Sequence, residues 1–94
     1  MKLLMMIVDE SKKEELEVLL ARAGVEGYTE LPSVVGVGTS GRRLGSGAFP
    51  KTSAIVFSIV SPEAAAELVR HLREYCAECG EKLRMVAWDV EELL

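Results

Sequence analysis

The chain has 94 residues, of which 49% are hydrophobic and 28% charged, room for one globular domain and too apolar for a disordered segment. Eleven Lys and Arg against fifteen Asp and Glu leave a net charge of −4, which excludes a general nucleic-acid binder that coats phosphates by charge alone. The longest apolar run, residues 3–8, falls far short of the roughly 20 residues of a membrane helix and ends at Asp9-Glu10 without a small-residue cleavage site, so neither a membrane span nor a secretory leader is expected and a cytoplasmic location is. Charge is unevenly spread: between Ser33 and Pro62 there is no acid, while Arg42, Arg43 and Lys51 make a cationic island. The chain also contains no Asn or Gln, a depletion of thermolabile side chains that hints at a thermophilic source.

Residues 3–8 are rich in Leu, Met, Ile and Val and predict a first strand. Ser11 then opens a predicted helix, its hydroxyl set to cap the Glu14 N–H in a capping box, with Leu16, Leu19, Leu20 and Ala23 on one face and Gly24 as the left-handed stop. Residues 28–37 predict a second strand, at an edge or with a bulge because Pro32 has no N–H for a ladder. Residues 54–60 are β-branched and aromatic and make the strongest strand signal. Ser61-Pro62-Glu63 combines a capping hydroxyl, a proline at the first helical position and an acid in the first turn. Leu68, Leu72, Tyr75, Cys76 and Cys79 share the apolar stripe of that second helix, and Gly80 ends it. Residues 83–90 predict the last strand, before a short tail.

The order βαββαβ in a single domain spanning 1–94 predicts an α+β, ferredoxin-like fold: a four-stranded antiparallel sheet with both helices on one face. The two strongest strands are apolar at nearly every position, whereas a sheet wet on one side should alternate. Two helices cannot cover both faces, and the apolar remainder predicts association of several copies.

Five of the eight glycines fall between positions 36 and 47. Gly36, Gly38 and Gly41 formally match a dinucleotide fingerprint, but the helix that must follow is spoiled by Gly45, Gly47 and Pro50. A P-loop fails because Pro50 stands where glycine must precede Lys51-Thr52. What remains is a flexible, cationic segment, 39–53, in which Gly36, Gly38, Thr39, Ser40, Gly41, Arg42, Arg43 and Lys51 could hold a small anion. The competing explanation is a solvated hairpin loop. Its length favours function, since long irregular loops are uncommon in small domains unless they bind or gate.

Cys76-Ala-Glu-Cys79 lies in the last turn of its helix, where the dipole disfavours thiolate, so redox catalysis is not expected and buried structural cysteines are. His71 fits a solvated helix face, and Trp88 a core or interface position. With one histidine and dispersed acids, no catalytic constellation can be assembled, and no enzyme is expected.

The N-terminal Met1-Lys2-Leu-Leu-Met-Met-Ile-Val-Asp9, then Gly27-Tyr28-Thr29-Glu30-Leu31-Pro32, Gly41-Arg42-Arg43-Leu44-Gly45 and the strong third strand resemble the PII-like signalling proteins, relatives of the nitrogen regulatory PII protein. The resemblance implies a ferredoxin-like homotrimer whose sheets pack around the axis, with small anionic ligands such as the adenine nucleotides ATP, ADP or AMP in clefts between subunits. It also implies that segment 39–53 is a T-loop that orders on ligand binding and is presented to a target protein. Two family features are absent: the loop has no Tyr to be uridylylated, and Cys79-Gly80-Glu81-Lys82-Leu83 replaces the Gly-Asp-Gly-Lys type loop that holds nucleotide phosphates. The alternatives are an acyl-phosphate or phosphate-ester enzyme of the same fold, which would lack the side-chain amide that places water, and a trimeric divalent-metal-binding protein using His71, Cys76, Cys79 and acids.

Overall fold

The computed structural model describes residues 1–38, 41–79 (of Cys79 the backbone only) and 83–94. Strand β1 (Lys2–Asp9) runs into one turn of 3-10 helix (Glu10–Lys12) and helix α1 (Lys13–Arg22). Strand β2 (Thr29–Val34) precedes a ribbon of two short strands, β3 (Gly36–Gly38) and β4 (Gly41–Arg43). Strand β5 (Ser53–Val60), helix α2 (Pro62–Cys79) and strand β6 (Arg84–Asp89) complete the chain. The main sheet has the order β2-β5-β1-β6, antiparallel throughout, and β3 pairs β4 in a separate two-stranded sheet. This is the predicted ferredoxin-like fold with one addition, the ribbon.

Alternation along each strand sorts the side chains. Leu4, Met6 and Val8 of β1 and Ala54, Val56 and Val60 of β5 are buried with Leu16, Leu19 and Leu20 of α1 and Leu68 and Leu72 of α2, forming one core. Each such leucine contributes about 1.5–3 kcal/mol by leaving water. Ser58 is the one buried polar residue among those described, and its hydroxyl donates to the Gly27 carbonyl at 2.6 Å, so the polar group is satisfied.

The opposite face is apolar too. Leu3 stands between Ile59 and Trp88, Met5 between Phe57 and Val86, and Ile7 between Ile55 and Arg84, with Leu31 of β2 beyond Ile55. Ile59 and Trp88 are 49% and 47% exposed. The two-sided apolar pattern of the central strands therefore translates into an uncovered hydrophobic face.

Several local expectations are met. Gly24 has φ +80°, and Ser61 caps α2 by accepting the Ala64 N–H at 3.1 Å. Pro32 lies in the edge strand β2, beside a register shift between Leu31 and Val34. Three expectations are corrected. Ser11 does not cap α1: Asp9 accepts the Ser11 N–H at 3.1 Å and caps the 3-10 turn, while Lys12, the residue before α1, makes no side-chain cap. The Ser11 hydroxyl is instead turned toward the Asp9 carboxylate, to which it donates and whose charge makes it the stronger local partner. The predicted second strand is split at Val35, between β2 and β3, and Ser33, with a φ of +55°, sits where the pairing of β2 with β5 shifts register. Segment 39–53 is not featureless: its described residues include β4 and a turn in which Leu44 and Ser46 donate backbone N–H groups to the Phe49 carbonyl at 3.3 and 3.0 Å.

Candidate functional site

The departure of the chain from the sheet after Val34 creates a groove. Just before it, the Ser33 backbone N–H donates to the Glu10 carboxylate at 3.0 Å, and beyond β2 the chain forms the β3–β4 ribbon. Between ribbon and sheet lies a cavity of about 580 Å³, lined by Ile7 and Val8 of β1, residues 34–38, Gly41 and Arg43 of the ribbon, Ser53 and Ile55 of β5, and Leu83 and Arg84. Gly41 carries a φ of +106°, a conformation in the range that favours glycine.

The structure divides the predicted ligand-binding residues. Gly36, Gly38, Gly41 and Arg43 line the groove. Arg42 does not: adjacent residues of a strand point to opposite faces, and its guanidinium lies instead 5.7 Å from the centre of the Phe49 ring. Lys51 is exposed outside the groove, its carbonyl accepting the Gly45 N–H at 3.3 Å. Thr39 and Ser40 lie outside the described residues. Arg84 carries no signal in the sequence; its place follows from pairing opposite Ile7, which only the strand order reveals.

Arg43 is already occupied. Its guanidinium donates to Asp9 Oδ1, and Asp9 Oδ2 accepts both the N–H and the hydroxyl of Ser11. Burial pushes the Asp9 carboxyl up, but the hydrogen bonds from Ser11 and Arg43 outweigh it and hold the carboxyl below its ordinary value.

A second hollow of about 320 Å³ lies at the other end of the central strands, lined by Leu3, Phe57, Ser58, Ile59 and the Gly27-Tyr28-Thr29 turn. Both hollows border the uncovered sheet face, one at its Ile7–Ile55 row and the other at its Leu3–Ile59 row.

Elsewhere, Cys76 is half-buried, and His71 Nε2 lies 3.4 Å from a Glu67 carboxylate oxygen. Among the described residues no three His, Cys, Asp or Glu side chains converge as metal ligands, and no helix is long and apolar enough to cross a membrane.

The family model for the nitrogen regulatory protein P-II matches residues 1–91. No curated protein sequence matches the chain. Among solved structures, the chain is similar to CPII, a nitrogen regulatory PII-like protein from Thiomonas intermedia K12. In its complex with ADP, AMP and bicarbonate the likeness has a TM-score of 0.80 at 24% identity, covering 95% of this chain and 84% of that one. In its complex with ADP and bicarbonate the TM-score is 0.78 at 26% identity, with the same coverage. A PII-like signaling protein from Thermus thermophilus has a TM-score of 0.74 at 21% identity, covering 95% of this chain and 85% of that one. With its βαββαβ sheet, the ribbon inserted after β2 and a family match over almost its whole length, the chain belongs to the nitrogen regulatory protein P-II family.

Proposed function

We propose that the chain is a signal-transducing regulator and not an enzyme: a cytoplasmic homotrimer that binds an adenine nucleotide, or another small anion, in clefts between subunits and presents segment 39–53 to a target protein. The observation that carries this reading is the uncovered apolar face with a hollow on each of two opposite rims. Copies packed through Leu3, Met5, Phe57 and Trp88 would remove that face from water and set a neighbour's wall against each hollow. Arg43 and Arg84 are the cationic side chains lining the larger hollow, and its apolar flank at Ile7, Val8 and Ile55 suits a flat ring. CPII, bound to ADP, AMP and bicarbonate, supports a ligand of this class. Leu44 and Phe49, exposed in the turn that follows the ribbon, are side chains a target protein would cover. Ligand in the groove would bias the neighbouring segment between arrangements that do and do not fit that target.

The reading is tested by calorimetric titration of the purified protein with ADP, AMP and bicarbonate. Saturable heat with at least one nucleotide, lost in Arg43→Ala, is expected. Absence of heat with all three at millimolar concentration would contradict it.

A further inference from the structure

Resting on the reading of the groove as an anion site, we propose that Asp9 is a built-in competitor: its carboxylate occupies the anion position at Arg43 in the empty protein, and a ligand must displace it. Arg43 is the ribbon's cation in the groove, and its guanidinium is spent on Asp9. Both side chains are largely covered, Arg43 22% and Asp9 16% exposed, so the contact is less screened than a surface ion pair. Asp9 is also anchored from behind. The N–H and hydroxyl of Ser11 hold Oδ2 while Oδ1 meets Arg43, which fixes the carboxylate toward the guanidinium. The same contact pins the ribbon, because Arg43 is the last residue of β4 and Asp9 the last of β1.

A competitor in the same chain has a chemical consequence. Exchanging one monocarboxylate for another at Arg43 gains no charge, and the tethered carboxylate acts at an effective concentration in the millimolar range or above. A free monocarboxylate at lower concentration therefore loses to Asp9. A phosphoryl group carries more charge and offers several oxygens to the guanidinium fork, and Arg84 in the same groove adds attraction that Asp9 does not use. Asp9 thus makes the groove selective for phosphoryl-bearing ligands over simple carboxylates, and binding such a ligand frees the ribbon's anchor.

The test compares the natural protein with Asp9→Asn, which keeps an oxygen to accept the Ser11 N–H and removes the charge. Titrated with ADP, Asp9→Asn is expected to bind more tightly by on the order of tenfold, the scale of one charged hydrogen bond. Acetate, silent against the natural protein at millimolar concentration, is expected to give saturable heat against the variant. Equal or weaker ADP binding by Asp9→Asn overturns the competitor while leaving the nucleotide site standing; no ADP binding by either protein removes both. A measurement on the natural protein avoids any folding defect of the variant: the Asp9 carboxyl, titrated by NMR, should move up toward the ordinary aspartate value when ADP saturates the protein. An Asp9 titration unchanged by ADP overturns the proposal.

Discussion

Leu20 and Leu68 are fully buried between the sheet and the helices, so truncating either leaves a cavity. Leu20→Ala or Leu68→Ala should destabilise by about 2–5 kcal/mol, whereas Val18→Ala, on the exposed side of α1, should change stability by no more than about 0.5 kcal/mol; urea unfolding distinguishes them. Two carboxyl groups give opposite pH dependences. Asp9 is held below its ordinary value of 3.8, so its contribution is present above that pH and lost as pH falls through the lower folded value. Glu17 is held above 4.5, first by a hydrogen bond shared with Glu30, then by burial and the charge of Glu30. As two ionised groups they cannot bond, and Glu30 Oε1 is buried without a donor, although Lys13 lies 3.6 Å from Oε2; the protonated Glu17 carboxyl can donate where the ionised one cannot. That contribution is complete below 4.5 and lost as pH rises through the higher folded value. Glu17→Gln should therefore gain stability relative to the natural protein between pH 4 and pH 7 in thermal melts, and a constant difference over that range would contradict a raised Glu17 value.

Among the elements, the junction of β2 and the ribbon carries the groove. Ser33 holds a φ of +55°, which a β-branched residue tolerates poorly. Ser33→Val should destabilise by about 1–2 kcal/mol, and Ser33→Gly should be close to neutral; denaturant midpoints read both. This junction also marks where the sequence stops being legible. Strands and helices follow from local signals: apolar runs, the Ser61-Pro62 cap and Gly24. Pro32 announces an edge or bulge, but nothing local shows that the chain turns off the sheet three residues later. The ribbon is hidden because a glycine-rich stretch carries no apolar alternation, and its pairing of Gly36 with Arg43 is read only from geometry. The groove is half visible for the same reason. Glycines and arginines flag the segment, but the opposite faces taken by Arg42 and Arg43, the Asp9 contact across 34 residues of chain and the arrival of Arg84 beside Ile7 are products of register.

For the whole molecule, the decisive property is a thin domain, a single sheet with helices on one face, whose other face is hydrophobic. Composition and strand pattern make that face legible in the sequence itself, since helix count and apolar strand positions suffice to show the shortage of cover. Trp88 lies on the edge strand β6 and is already half exposed, so a charge there should fold but oppose association. Trp88→Glu is expected to lower the oligomeric mass while circular dichroism stays unchanged, and to weaken nucleotide binding with it, because the proposed clefts would be built from two subunits. The most direct test of the assembly on which the regulatory reading rests is sedimentation equilibrium of the natural protein at micromolar concentration. A particle of three times the 10.3 kDa chain mass is predicted; a stable particle of one chain mass, its apolar face open to water, would contradict the account.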